Sequence, residues 1–168
     1  VLQEALDLMG KVYPENHWRV ANTRLALEYS DLLATLDPVE RNQLPKADQL
    51  VQDVIELNGQ GRLDDAMALA DQSLAIIKEI LGSDHRETAI GYSVQGLIHS
   101  LKGNSQESEA LFLRSLEILK ETFGETHPDY ASALDLLGSL YNRMGKHDQA
   151  EALYTKSLHI LGLIYGVN

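Results

Sequence analysis

Three histidines stand in similar places along the sequence and are the first candidates for chemistry. His85 and His127 each follow a glycine by three residues and lie 42 residues apart, and His17 precedes the chain's only tryptophan, Trp18. Recurring histidines suggest a zinc site, because imidazole is the commonest metal ligand. Zinc holds its nitrogen ligands at about 2 Å, whereas equivalent atoms of packed helical units lie about 8–10 Å apart or more. We therefore predict linker-packing and capping roles for these histidines, and no bound metal.

The other motifs with catalytic potential are incomplete. Gly59-Gln60-Gly61 lacks the third glycine and the preceding strand of a dinucleotide-binding fingerprint, and Gly145-Lys146 lacks the Ser or Thr of a phosphate-binding loop. The sequence contains neither H-E-x-x-H nor G-x-S-x-G. The acidic pair Asp64-Asp65 opens a predicted helix, where the helix dipole favours carboxylates. These observations predict a protein without catalytic residues and without a cofactor.

The composition narrows the range of partners. The 168 residues carry a formal net charge of −11. This charge argues against nucleic acid or an anionic membrane as a partner, because binding to either needs clustered Lys and Arg. The absence of Cys excludes disulfides, thiolate zinc sites and cysteine nucleophiles. It also fits a reducing compartment, so we predict a cytoplasmic protein. No run of apolar residues is long enough to span a bilayer.

A period of 42 residues organises the chain. Three sets of residues recur at this interval: the glycines Gly82, Gly124 and Gly166, the glycines Gly61, Gly103 and Gly145, and the alanines Ala68, Ala110 and Ala152. Self-similarity at this length is typical of stacked helical hairpins. Glycine suits the end of a helix. We expect these alanines and the small residues two positions earlier to let the two helices of a hairpin approach closely; the earlier set is Ala66, Ser108 and Ala150. Gly96 and Gly138 give the first helix of their units a similar close-approach point.

The periodicity predicts about eight helices in a single domain, 1–168. Their predicted ranges are 1–13, 18–35, 46–58, 63–81, 87–101, 105–123, 129–143 and 147–165. Asn16, Asp84 and Thr126 are predicted helix N-caps, and Pro38 and Pro45 are predicted breakers with a short helical turn between them. The domain divides into divergent N-terminal helices with a linker (1–45) and three regular repeats (46–81, 82–123 and 124–166).

The stretch ALDLLGSLYNRMGKHDQAEALYTKSLHI resembles tetratricopeptide repeats. The 42-residue period and the G-x-x-H-P linker from Gly124 to Pro128 resemble the kinesin light chain variety. The resemblance is close across 82–166, good across 46–81 and partial across 1–36. Val54 departs from it by replacing a glycine, and Arg86 and Trp18 by replacing the proline. The resemblance implies a right-handed superhelical solenoid whose concave wall is formed by the first helices of the hairpins.

The resemblance also implies a partner-binding groove along that wall. The implied groove residues are Val51, Gln52, Ile55 and Asn58 in one unit, Ser93, Val94, Leu97, Ser100 and Leu101 in the next, and Asp135, Leu136, Ser139, Asn142 and Arg143 in the last. Related domains that hold a carboxylate line this groove with Lys, Arg and Asn. Here Arg143 is its only cation, so we expect a peptide with apolar anchors and basic residues.

These observations favour a protein–protein interaction scaffold that binds a peptide or a partner domain in the concave groove, as a fragment of a larger intracellular protein. Two alternatives stay open: a ligand-sensing domain that regulates an effector domain, and a region that recruits substrates to an enzyme. A further interpretation is that the residues at the groove positions form a solvent-exposed face that binds no ligand. The last helix is rich in apolar residues, including Leu158, Leu163 and Tyr165, and predicts either self-association or cover by further repeats.

Overall fold

The structure is a computed structural model that describes residues 1–15 and 17–165. These residues form eight α-helices and no strand. The helices are α1 (Leu2–Val12), α2 (Trp18–Thr35), α3 (Pro38–Gly59), α4 (Leu63–Leu81), α5 (Arg86–Leu101), α6 (Ser105–Phe123), α7 (Pro128–Arg143) and α8 (His147–Tyr165). The predicted all-α class and the predicted number of helices are confirmed. The predicted cap Asn16 and the periodic Gly166 lie outside the described residues.

Three antiparallel hairpins, α3–α4, α5–α6 and α7–α8, stack in chain order, with α4 packed on α5 and α6 on α7. Each hairpin turns at one glycine: Gly61, Gly103 and Gly145 have φ between +73° and +84°, a region that favours glycine because it has no Cβ. In all three turns the residue after this glycine donates its N–H across the turn at 2.9 Å, as Arg62 does to the carbonyl of Leu57. The 42-residue period is therefore the repeat of one hairpin geometry.

Each hairpin closes by pairing a small residue with a large one. A Cβ placed on Gly96 would lie 2.9 Å from the Phe112 ring, and a Cβ on Gly138 would lie 2.9 Å from the ring of Tyr154. The first hairpin has the opposite arrangement, because the position of Gly96 holds Val54 and that of Phe112 holds Ala70, in one buried cluster. Val54 therefore fits where a glycine is usual because its neighbour across the hairpin is small.

The alanines Ala68, Ala110 and Ala152 are exposed, so the prediction that they lie in the helix–helix contact is wrong. The other predicted small residues, two positions earlier, are buried: Ala66, Ser108 and Ala150 are at most 2% exposed. The hydroxyl of Ser108 donates to the carbonyl of Gly96 across the hairpin at 2.7 Å. Two residues correspond to more than half a helical turn, which places the alanines on the opposite face.

Helix α3 begins at Pro38, whereas the prediction started a helix at 46 after two breakers. Asp37 caps it, because its carboxylate accepts from the N–H groups of Val39 and Glu40 while Glu40 accepts from the Asp37 N–H. Pro38 occupies the first turn, where a missing N–H costs nothing. Pro45 lies inside the helix at an exposed position and does not break it. The helix therefore crosses the predicted boundary between the linker and the first regular repeat.

The N-terminal pair α1–α2 lies across the edge of the array where the linkers between hairpins run. The side chain of Asn22 contacts His127, with Oδ1 3.1 Å from the ring Nε2, and the Tyr29 ring lies 5.8 Å from the His85 ring. Val20 is the only buried residue described in α2. Because α3 follows α2 directly, α2 has no second helix of its own unit to pair with. It rests on the linkers through few buried contacts.

The complementary pairing predicts a strong coupling between positions 96 and 112. Gly96→Val should destabilise the protein by about 1–3 kcal/mol through overpacking, and Phe112→Ala by about 3–5 kcal/mol through a cavity. The double variant recreates the Val54–Ala70 pair and should lose at least about 1 kcal/mol less than the sum. Urea unfolding measures each free energy.

Ala110→Val is the matched control, because Ala110 is exposed on the same helix as Phe112. It should change the free energy of unfolding by no more than about 0.5 kcal/mol. Additive losses in the double variant would contradict the pairing.

Candidate functional site

The first helices α3, α5 and α7 form one wall of the array, and a cavity of about 250 Å³ opens between α5 and α7. We call it the α5–α7 pocket. It is lined by Ile90, Ser93, Val94 and Leu97 of α5, Leu119 of α6, and Asp129, Ser132, Ala133 and Leu136 of α7. Most of these side chains are apolar. An apolar cavity with few polar groups is the usual form of a binding site.

Helical periodicity places the lining residues together. Ile90 and Val94 lie one turn apart on α5, and Ser132 and Leu136 lie one turn apart on α7, so each pair faces the same side of its helix. The side of α5 that carries Gly96 is packed on α6 and is unavailable to a ligand. Leu97, by contrast, is 39% exposed at the rim of the pocket. The hairpin contact therefore fixes which residues the wall presents.

Four of the fourteen predicted groove residues line the α5–α7 pocket: Ser93, Val94, Leu97 and Leu136. The prediction missed five lining residues, which are Ile90, Leu119, Asp129, Ser132 and Ala133. Ile90 and Ser132 each stand four positions before a predicted residue, so extending the pattern by one helical turn would have found them. Leu119 belongs to a second helix and reaches the floor of the pocket from behind, which no first-helix pattern indicates.

The predicted residues of α3 lie outside the pocket. Val51 and Asn58 are partly buried, Gln52 is exposed, and Ile55 is 60% exposed. The side-chain oxygen of Asn58 is buried and has no hydrogen-bond partner among the described residues. The role of these four residues in a groove therefore stays a prediction.

The remaining predicted residues lie toward the helix C-termini, and several already have structural partners. The guanidinium of Arg143 donates to the carbonyl of Ser100 at 3.0 Å, and Asn142 Oδ1 lies 3.0 Å from the His147 ring. Ser100 is 6% exposed because its helix turns it toward the interior, and its role as a groove residue stays a prediction. Leu101 and Ser139 are exposed and Asp135 is partly buried. Arg143 thus links two neighbouring first helices.

The recurring histidines are the helix N-caps of the array. The Nδ1 atoms of His17, His85 and His127 accept from the backbone N–H two residues on, at 3.1–3.2 Å. The predicted capping role is confirmed, and the alternative caps Asp84 and Thr126 are wrong, because the imidazole one residue nearer the helix reaches the orphan N–H first. Since Nδ1 accepts a bond, the proton of each neutral ring lies on Nε2.

An ion pair joins the first turns of α5 and α7 beside the α5–α7 pocket. Arg86 donates from Nε to Asp129 Oδ2 at 2.6 Å and from Nη1 to Glu87 Oε1 at 2.9 Å. Arg86 stands where the repeat pattern has a proline, so this substitution exchanges a rigid first turn for a bridge between α5 and α7. Asp129 lines the pocket, and the bridge neutralises part of its charge.

Aromatic rings enclose His127. Phe123 stacks on its ring at a centroid distance of 3.9 Å, and Trp18 meets it edge-on at 6.5 Å. His127 is 1% exposed, and this burial lowers its pKa to about 4, with the Asp129 carboxylate opposing the shift and the Arg86 charge adding to it. The ring is therefore neutral at neutral pH.

Comparison with known proteins places the chain in a family. The family model for the tetratricopeptide repeat matches residues 54–121 and 92–161, which together cover more than half of the sequence. The chain belongs to the tetratricopeptide repeat family. No curated protein sequence gives a significant match. Proteins with tetratricopeptide repeats are generally non-enzymatic scaffolds for protein–protein interaction.

Several solved structures share this tetratricopeptide repeat fold. BtubC (BKLC) from P. vanneervenii has a TM-score of 0.61 at 19% identity, covering 84% of this chain and 59% of that one. Two structures of Podosopora anserina kinesin light chain-type TPR-like repeats, the second of them a variant with one substitution, have TM-scores of 0.60 and 0.63 at 19% and 18% identity. Each of these two alignments covers 96% of this chain and 84% of the solved chain. The predicted right-handed solenoid and the likeness to kinesin light chain repeats are confirmed. This chain spans somewhat under two thirds of BtubC.

The depressed pKa of His127 predicts a pH dependence of stability. The folded-state pKa of about 4 lies below the ordinary histidine value of 6.5, so the folded protein binds fewer protons than the unfolded chain between these values. The buried neutral ring of His127 contributes fully to the free energy of unfolding above pH 6.5, and this contribution is lost as the pH falls toward 4. His127→Asn keeps a capping oxygen and removes the titration. It should shrink the stability difference between about pH 7.5 and about pH 4.5 by on the order of 1–3 kcal/mol.

Urea unfolding at the two pH values measures this difference. His159→Asn, at an exposed position of α8, is the control and should leave the pH dependence unchanged. An unchanged pH dependence in the His127 variant would show that the ring is not the titrating group.

Proposed function

We propose that this chain is a non-enzymatic, cytoplasmic interaction module that binds a peptide or a partner domain along the wall of first helices, with the α5–α7 pocket as its anchor site. The observation that carries the proposal is the pocket itself, an apolar cavity of about 250 Å³ open to the wall. Leu97 and Leu136 stand on opposite sides of it, one on each first helix. A single apolar side chain of a ligand would contact both helices at once. The described helices contain no segment long and apolar enough to cross a membrane.

The charge of the wall favours a ligand with basic residues. The chain carries a net charge of −11, and Arg143, the only cation among the predicted groove residues, is held by the carbonyl of Ser100. Asp129 lines the pocket, and Asp135 directly precedes the lining residue Leu136 on α7. A ligand with Lys or Arg beside its apolar anchor would be steered toward this surface, whereas an acidic peptide would be repelled.

Selection from a phage-displayed library of random peptides tests the proposal. The wild-type chain should enrich peptides with one large apolar residue flanked by Lys or Arg. Leu97→Glu and Leu136→Glu place a carboxylate at the rim and should each weaken the enriched peptides by more than about tenfold. Fluorescence anisotropy with a labelled peptide from the selection measures the affinities.

Leu113→Glu is the matched control, because Leu113 is 48% exposed on the second helix α6 and does not line the α5–α7 pocket. It should bind as the wild type does. Circular dichroism checks that all three variants remain folded. Peptides that bind the pocket variants as tightly as the control would move the site away from the α5–α7 pocket.

Self-association is a second candidate role, favoured by the exposed face of α8. Leu158 is 68% exposed, whereas its equivalents Leu74 and Leu116 are 6% and 8% exposed beneath the next hairpin. Leu74, for example, packs directly against Gly91 of α5, which leaves no room for a Cβ there. The face of α8 therefore has the side chains of a stacking surface and, among the described residues, no helix covering Leu158.

Light scattering across a concentration series tests the self-association of α8. The wild type should show a mass that rises with concentration, since burying Leu158 and Leu163 removes apolar surface from water. Leu158→Glu should remain monomeric, and Leu113→Glu should associate as the wild type does. A wild type that stays monomeric throughout would exclude this role.

A further inference from the structure

A second cavity, of about 300 Å³, lies between α2 and the array and shares no lining residue with the α5–α7 pocket. We call it the α2 cavity. Its apolar wall includes Leu25 of α2, Leu44 of α3, and Ile77 and Leu81 of α4. Its titratable groups lie on three elements: Tyr29 on α2, Asp48 on α3, and His85, Arg86 and Glu87 at the start of α5.

A comparison of two equivalent linkers explains why this cavity is open. Helix α2 crosses both linkers, and at the second one the His127 ring is stacked on Phe123 and contacted by Asn22, which fills the space. At the first linker the position of Phe123 holds the smaller Leu81, and the His85 ring meets Tyr29 at 5.8 Å. The same backbone arrangement is therefore packed in one repeat and hollow in the other.

The polar groups of the α2 cavity carry an excess of negative charge. Arg86 is the one cation in the lining, and it is shared between Glu87 and Asp129. Asp48, on the α3 side, has no ion-pair partner among the described residues. Burial, followed by the charges of Glu87 and Asp48, raises the pKa of Tyr29, so both carboxylates act on the phenol. A positive charge placed among these three residues would be stabilised.

We propose that the α2 cavity binds a small organic cation, an alkylammonium group on a branched aliphatic body. The ammonium would donate to the Asp48 carboxylate beside the Tyr29 ring, whose face attracts cations. The aliphatic body would replace water against Leu44, Ile77 and Leu81. Since a water molecule occupies about 30 Å³ of liquid, a cavity of about 300 Å³ suits a ligand of up to about ten non-hydrogen atoms.

Occupancy of the α2 cavity would tie the N-terminal pair to the array. Helix α2 is held by few buried residues, and a ligand in this cavity contacts α2, α3, α4 and α5 together. Because the ligand binds only the docked arrangement, it stabilises that arrangement by mass action. This inference is independent of the peptide site and would give the chain a small-molecule response.

Isothermal titration calorimetry with 3-methylbutylamine tests the proposal, beside the alcohol and the carboxylate of the same carbon skeleton. The amine should bind at least about tenfold more tightly than the alcohol, and the carboxylate should be weaker still, because the cavity is anionic. Asp48→Asn should weaken amine binding by about tenfold or more and leave alcohol binding unchanged. The control Asp31→Asn removes the same charge from an exposed position of α2 and should bind the amine normally.

Two further measurements keep the outcome decisive. Ala26→Phe fills the cavity from the α2 side and should abolish amine binding, and hydrogen exchange of residues 18–35 should slow when the amine is added to the wild type. A lysine whose backbone amino and carboxyl groups are both blocked mimics a lysine side chain of a peptide. Comparing its binding with that of the free amine shows which of the two is the natural source of the cation, and binding of either one supports the proposal. Equal binding of amine and alcohol, equal binding by Asp48→Asn and Asp31→Asn, or no amine binding would overturn it.

Discussion

In every hairpin of this array, one helix presents a small side chain where the other presents a large one. The contact is tight enough that a single methyl group on Gly96 or Gly138 would collide with the aromatic ring across the hairpin. Everything else depends on this contact. It fixes the rotation of each first helix about its axis, and that rotation decides which side chains reach the core and which reach the wall. The packing inside each hairpin therefore determines which side chains line the α5–α7 pocket.

The linkers add a second constraint by joining one hairpin to the next. A histidine caps each first helix that follows a linker, and the same ring then serves as a platform for α2. The two functions are compatible because an imidazole has two nitrogens: Nδ1 accepts the helix N–H, while Nε2 stays available to a neighbour such as Asn22. Burial of His127 strengthens the arrangement only while the ring is neutral, so capping and docking share one protonation state.

Four of the nine residues that line the α5–α7 pocket were predicted from the sequence, and the missing part has a clear physical cause. The repeat register selected Val94, Leu97 and Leu136, which line the α5–α7 pocket, since a helix with a known buried face has a known exposed face. It assigned Ala110 to the helix contact, which was wrong because a displacement of two residues turns a side chain by more than half a helical turn. Leu119 was missed because it reaches the pocket from a different helix, and a pattern along one helix contains no information about its neighbours.

The sequence by itself determined the class of the fold, the number of helices, the glycine turns and the capping role of the histidines. These are set by local chemistry that repeats every 42 residues, such as a left-handed glycine or an imidazole beside an orphan N–H. Only the tertiary structure decided the course of α2 across the linkers, the continuity of α3 through Pro45 and the existence of two separate cavities. Each of these depends on the volumes of side chains distant in sequence. Val54 against Ala70, or Leu81 where another repeat has Phe123, acquires its meaning only when the helices are packed.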